Sequence, residues 1–204
     1  MPICGHATIA AMYAKAIEEN IETCILNMKT NIGVLPFEIQ KTLLGILGLE
    51  FQELDHRCPI QIASTGHSKV MIGIKSRNKL NNLNPNLSEL SRLSKRIYCN
   101  GSYVFTLDSN SLDILCYGRM FAPAIGINED PVTGNANGPL GAYLIHNDIV
   151  DTTNDTFNFK SAQGETIGRD GIVEVSVSLI DKKPTLVRIA GEAIIVFKTI
   201  IEVR

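Results

Sequence analysis

Residues Gly126–Gly141 read GINEDPVTGNANGPLG, with two carboxylates, Glu129 and Asp130, ahead of a proline and a series of small residues, and the apolar run AYLI follows. A helix that starts inside such a run presents unpaired backbone N–H groups and the positive end of its dipole at its first turn. Small residues at that point let an anion reach the backbone. Gly134, Asn135 and Ala136, followed by Asn137 and Gly138, meet that need. Asp130 precedes Pro131, and a residue before proline is biased toward extended backbone. The spacing therefore puts a carboxylate just ahead of a helix start, where it can serve as general acid or base.

A second turn of the same kind lies near the beginning, in PICGHATIAA. Gly5, His6, Ala7 and Thr8 again offer small residues at the start of a helical pattern, and His6 can donate, accept or shuttle a proton near neutral pH. Two such helix starts facing each other across a cleft would grip a small carboxylate from both sides, and the boundary between two similar halves is a usual place for a ligand. Cys4 and His6 lack a second Cys/His pair at ligand spacing, so no zinc or other metal site is expected. Neither G-x-G-x-x-G after a strand nor G-x-x-x-x-G-K-[ST] is present, which argues against dinucleotide or nucleoside triphosphate binding. His67 reads as a turn residue at a strand start; His56 and His146 read as surface or helix-end residues.

The elements that must position these residues follow from hydrophobic spacing. Ile9, Met12, Tyr13, Ala16 and Ile17 follow helical spacing. ETCILNMKT and GVLPFEIQ read as strands joined near Asn31–Gly33, and KTLLGILGL as a short helix. PIQIAST and KVMIGIK read as a strand pair broken at Thr65-Gly66. NNLNPNLSELSRLSKRI passes from polar loop to helix, with Asn86 as its cap. CNGSYVFTLD and LDILCYGRMFA are strands around Asp108–Ser111; a helix runs from about Asn135 to His146. FNFKSAQ, GIVEVSVSLI, PTLVRIA and GEAIIVFKTI complete the strands. Val173, Val175 and Val177 alternate with polar residues, the pattern of a sheet with one face buried. The order turn, helix, strand, glycine turn, strand recurs, with His6 to Gly33 spaced much as Asn135 to Gly164, which suggests two similar α+β halves. The division is expected at the Asn-rich stretch, giving halves of residues 1–85 and 86–204.

The chain of 204 residues is 45% hydrophobic and 20% charged with a net charge of −2, an ordinary core-forming composition. No Lys/Arg run supplies a footprint for nucleic acid or a membrane surface, and no apolar stretch has bilayer-spanning length. The first twenty residues lack the basic leader of a signal peptide, so the expected location is cytoplasmic, with the five cysteines reduced. Cys24, Cys58, Cys99 and Cys116 read as buried small hydrophobes.

PICGHATIAA, STGHSKVMI, EDPVTGNANGPLGAYL and QGETIGRDGIVEV together, in this order and over nearly the whole chain, resemble the phenazine-biosynthesis-like (PhzF-type) family of isomerases. The resemblance implies a diaminopimelate epimerase-like α+β fold of two similar domains, each a mostly antiparallel sheet rolled around a central helix, with the active site in the cleft between them. It implies a cofactor-independent proton shift on a small carboxylate-bearing metabolite, and a homodimer. By position, Gly5 and His6 match the family's glycine-histidine pair, Asp130 its second-domain acid, and Asn135 and Ala136 the small residues beside the substrate carboxylate.

The family's principal acid/base is a glutamate upstream of the Cys-Gly-His turn. This sequence starts two residues before Ile3-Cys4, so that glutamate and the opening strands are expected to be missing, and the stretch from Gln40 to Pro59 is shorter than the family's. Two alternatives follow: a remnant that binds a small carboxylate without turning it over, and an amino-acid epimerase or racemase in which Cys4 and Asp130 work from opposite faces.

Overall fold

The computed structural model describes residues 31–193. Nine strands lie in one mixed sheet: β1 (Asn31–Val34), β2 (Gln61–Ser64), β3 (Lys69–Ile74), β4 (Ser102–Thr106), β5 (Cys116–Ala122), β6 (Ile127–Asp130), β7 (Thr156–Gln163), β8 (Gly171–Ile180) and β9 (Lys183–Ala190). The spatial order is β1-β2-β3-β4-β5-β7-β8-β9. One edge of β5 meets β4. The other is shared, Cys116–Gly118 pairing with β7 and Met120–Ala122 with β6. Pairing is antiparallel except between β3 and β4 and between β5 and β7. Four helices, α1 (Phe37–Leu47), α2 (Arg77–Asn81), α3 (Leu87–Arg96) and α4 (Gly134–His146), complete the described fold.

α4 is the axis of the structure. All its residues except Asn135 and His146 are buried, as expected of a helix with no polar face. It packs against β2 and β3 from one side and β8 and β9 from the other, so the sheet rolls around it. Its small residues set how close the sheet can come. A methyl group at Gly141 would sit 2.7 Å from Val177 Cγ2, and one at Gly138 would sit 3.2 Å from Val187 Cγ1. These two glycines serve helix–sheet packing, not the helix start where sequence reasoning placed Gly138. Met71, Tyr103, Phe105 and Met120 fill the core on this face together with Val173, Val175 and Val177. The other face carries a second core, in which Val70, Ile72, Val104 and Phe121 meet Leu43, Leu44 and Leu47 of α1 and Leu90 and Leu93 of α3. β3 is buried throughout because it lies between these two cores.

Most expected elements form where their patterns fall. Asn86 caps α3, its side chain accepting from Glu89 N–H at 3.1 Å. Phe37–Gln40 differs: these residues open α1 and do not continue a strand. Pro36 holds φ at −57°, and its carbonyl accepts from the Ile39 and Gln40 N–H groups, so the chain turns into a helix there. The division expected at 85/86 falls between α2 and α3, and β3 and β4 pair directly across it in the one sheet. The strands expected over 22–30 and beyond residue 193 lie outside the described residues, as does the first-half copy of the turn–helix repeat.

Candidate functional site

Glu129 and Asp130 are neighbours on an extended strand, so their side chains leave opposite faces of the sheet. Glu129 turns to the α3 side and forms a bidentate pair with Arg119, Nε to Oε1 at 2.8 Å and NH2 to Oε2 at 2.7 Å. Arg119 NH1 also donates to the Leu80 and Leu83 carbonyls at 3.0 and 2.9 Å, and Thr166 Oγ1 donates to Glu129 Oε1 at 3.1 Å. This carboxylate ties α2 to the sheet and is fully committed to that role.

Asp130 turns to the α4 side, level with Met120 in the register, and is 7% exposed. Thr133, the residue ahead of α4, donates its hydroxyl to Asp130 Oδ2 at 2.6 Å. A threonine here ordinarily caps its own helix. Thr133 makes no such bond, because its hydroxyl is turned back to the carboxylate. The positive end of the helix dipole therefore lies beside Asp130.

Gln163, at the end of β7, fixes this turn. Its Nε2 donates to the Asp130 carbonyl at 2.5 Å and to Thr133 Oγ1 at 3.0 Å, and its Oε1 accepts from Thr133 N–H at 3.3 Å. Asn137, one turn into α4, donates Nδ2 to the Thr133 carbonyl at 2.9 Å and to Gln163 Oε1 at 3.3 Å. Asn137 Oδ1 in turn accepts from the Tyr103 hydroxyl at 2.8 Å, with Ser161 Oγ 3.3 Å from the same hydroxyl. All of these side chains are buried, and burial holds the Tyr103 phenol protonated by pushing its pKa upward. A satisfied buried network of this kind fixes the geometry of what it surrounds.

At the same end of the rolled sheet, the β2–β3 hairpin carries His67 and Lys69. Lys69 is 1% exposed. Its ammonium donates to His67 Nδ1 at 3.2 Å and to the His67 and Ser68 carbonyls at 3.4 Å each. Burial lowers its pKa to about 8 against the opposing fields of Cys99 and Asp130. Burial, then the Lys69 charge, lowers the pKa of His67.

Asp130, Gly134, Asn135 and Ala136 are thus brought together at one turn, with the Ala136 N–H bonded back to the Thr133 carbonyl at 3.1 Å. Gly5, His6, Ala7, Thr8 and Cys4 lie outside the described residues. Cys58, Cys99 and Cys116 are buried thiols; burial pushes Cys58 and Cys116 to about 12, which removes them as acid/base candidates. Among the described residues no group of three or more His, Cys, Asp or Glu side chains could hold a metal ion, and no helix is long and apolar enough to cross a membrane. Sequence reasoning missed Thr133, Gln163 and Lys69 as site residues, and read Asn137 only as a small residue of the helix start, not as the side chain that bonds Gln163 and Tyr103. Gln163 opens QGETIGRDG and Lys69 lies in STGHSKVMI, so both stood in motifs already singled out, yet neither points to the helix start until the sheet closes.

The model of the phenazine biosynthesis-like protein family matches residues 38–199. The chain belongs to this family. It is 52% identical over 225 aligned positions to an uncharacterized isomerase of Clostridium acetobutylicum, covering 98% of the chain and 74% of that protein. To the uncharacterized isomerase YddE of Escherichia coli it is 38% identical, covering 97% and 74%. A PhzF-family phenazine biosynthesis protein of Bacillus anthracis superposes with a TM-score of 0.75 at 22% identity, covering 95% of this chain and 77% of that one. A predicted epimerase of Pseudomonas aeruginosa superposes with a TM-score of 0.67 at 16% identity, covering 97% and 76%. These likenesses confirm the α+β epimerase-like fold that the four motifs imply for a phenazine biosynthesis-like chain.

Proposed function

We propose that Asp130 and the first turn of α4 form one wall of a general acid/base site that shifts a proton on a small carboxylate-bearing metabolite, as an isomerase without metal or organic cofactor. The observation that carries this reading is the Thr133 hydroxyl, which holds Asp130 instead of capping α4 from its own position. An anionic group seated at that helix start gains from the dipole and the backbone amides. It then lies next to a carboxylate held at fixed geometry. A proton shift along a conjugated system needs just such a positioned acid/base in a site from which water is excluded. Membership of the phenazine biosynthesis-like family and the names of the two relatives as isomerases support the reaction class.

In this reading His6 supplies the second proton-transfer group across an inter-domain cleft, and Gly5, Ala7 and Thr8 form the opposing helix start, with a homodimer as the working form in the cytoplasm. The test is solvent deuterium exchange, followed by NMR, into a panel of hydroxyanthranilate-type and α-amino carboxylates. The wild-type chain washes deuterium into at least one of them, and Asp130→Ala abolishes the exchange while circular dichroism stays native. Undiminished exchange in the variant would end this reading.

A further inference from the structure

Lys69 is a lysine buried at the Asp130 end of the sheet with no ion-pair partner within 4.0 Å among the described residues. Burying an ammonium is costly unless its donors are used and the charge does something. All three of its N–H donors are engaged inside its own hairpin, and the shortest contact is to a side chain, His67 Nδ1. Lys69 therefore has no donor left for a ligand and acts through the histidine. An ammonium that donates to Nδ1 requires the lone pair there, which leaves the imidazole neutral with its proton on Nε2. His67 is only half-buried, so this Nε2–H is carried on the β2–β3 turn, at the end of the sheet where the register runs from Val70 through Ser102 and Phe121 to the Met120–Asp130 pair and where Lys69 feels the Asp130 charge.

We infer that Lys69 is a positioning residue that locks His67 as the Nε2–H tautomer, and that His67 is a further hydrogen-bond donor to the anion held at the α4 start. The inference extends the carboxylate-binding reading of the Asp130 site and rests on it for the identity of the anion. The groups facing Lys69 are His67 from its hairpin, the Cys99 thiol ahead of β4 and Asp130 from β6, while α4 carries no charged residue before His146. Below about pH 8 the ammonium form prevails. The pair therefore has its donor arrangement at neutral pH, and the lowered pKa of His67 keeps the ring uncharged there.

Two measurements on the full chain test this. Long-range 1H–15N spectra at pH 7, with His67 assigned by its loss in His67→Gln, should show a pyridine-like Nδ1 and a protonated Nε2. In Lys69→Met that preference should collapse to a mixture of tautomers. A wild-type His67 protonated on Nδ1 overturns the inference without any variant. Calorimetric titration with anthranilate as the probe gives the second arm. His67→Phe should weaken binding about tenfold, the worth of one charge-assisted hydrogen bond, and Lys69→Met about twofold, the cost of leaving the donor tautomer only partly populated. His67→Gln, whose amide Nε2 replaces the ring donor, should keep most of the affinity. Equal binding by wild type and both weakened variants overturns the inference. If the wild type binds no anthranilate, it is the carboxylate reading of the site that falls, and the tautomer spectra still decide the Lys69–His67 pair.

Discussion

Thr133 Oγ1 and Asp130 Oδ2 lie 2.6 Å apart, closing the turn that opens α4. This bond replaces the ordinary threonine cap, so the helix start and the carboxylate are organised by the same hydroxyl. Gln163 Nε2 bonds that hydroxyl from the other side at 3.0 Å. Thr133→Val keeps the shape and removes both interactions. It should lower stability by about 1–3 kcal/mol, the range for leaving buried polar groups unsatisfied, and weaken any anion bound at the turn. Chemical denaturation and the anthranilate titration measure the two effects; an unchanged midpoint and unchanged affinity would mean the hydroxyl organises nothing.

Arg119 and Glu129 are a buried pair whose side chains are 9% and 12% exposed. Removing one partner strands the other charge, so Arg119→Met and Glu129→Gln should each cost roughly 3–5 kcal/mol. The double change Arg119→Met with Glu129→Leu should recover most of that loss. Thermal melts of the three variants decide it. A double variant no better than the singles would show that the Arg119 bonds to the Leu80 and Leu83 carbonyls dominate.

Lys69 gives a pH signature of definite sign. Its folded pKa of about 8 lies below the ordinary lysine value of 10.5, so between these values the unfolded chain binds more protons. Stability from this group therefore rises with pH across that window, and the burial penalty is fully present below about pH 8. Lys69→Met removes the penalty, which amounts to roughly 3 kcal/mol or less. The variant should melt higher than wild type at pH 7, and the difference should shrink by pH 10. Comparing the two chains isolates Lys69 from the buried thiols, whose raised pKa values act in the opposite direction above pH 9.

Gly164 follows Gln163 with φ of 90°, and a methyl group there would run into the Arg169 carbonyl and lie 2.9 Å from the Pro131 carbonyl. Both obstacles are backbone, so neither yields as a flexible side chain would. Gly164→Ala should destabilise by about 1–3 kcal/mol or more through strain at a positive φ and overpacking. It should also weaken the Gln163 contacts to the Asp130 turn. Amide exchange at Thr133, whose N–H is bonded to Gln163, reports that loosening; protection equal to wild type would separate the two.

The sequence by itself determined most strands of the rolled sheet, the core helix, the Asn86 cap and the turn that carries Asp130, but it read Ile127–Asp130 as loop and Asn31–Gly33 as a joint where the structure has strands. Each element so determined is written in local periodicity or in a residue's own backbone preference, as when Pro131 holds Asp130 extended. Four motifs in order also carried the family and its fold. The missing parts were matters of which face and which distant neighbour. Glu129 and Asp130 look alike in the chain, yet strand alternation sends one to Arg119 and the other to the helix start. Gly138 looks like a ligand-facing glycine, yet it receives β9, a contact that exists only once the sheet has curled. Gln163, Asn137 and Tyr103 come from β7, α4 and β4, and Lys69 from β3. They meet only through tertiary closure, because hydrogen bonds between residues so far apart in sequence have no local signature.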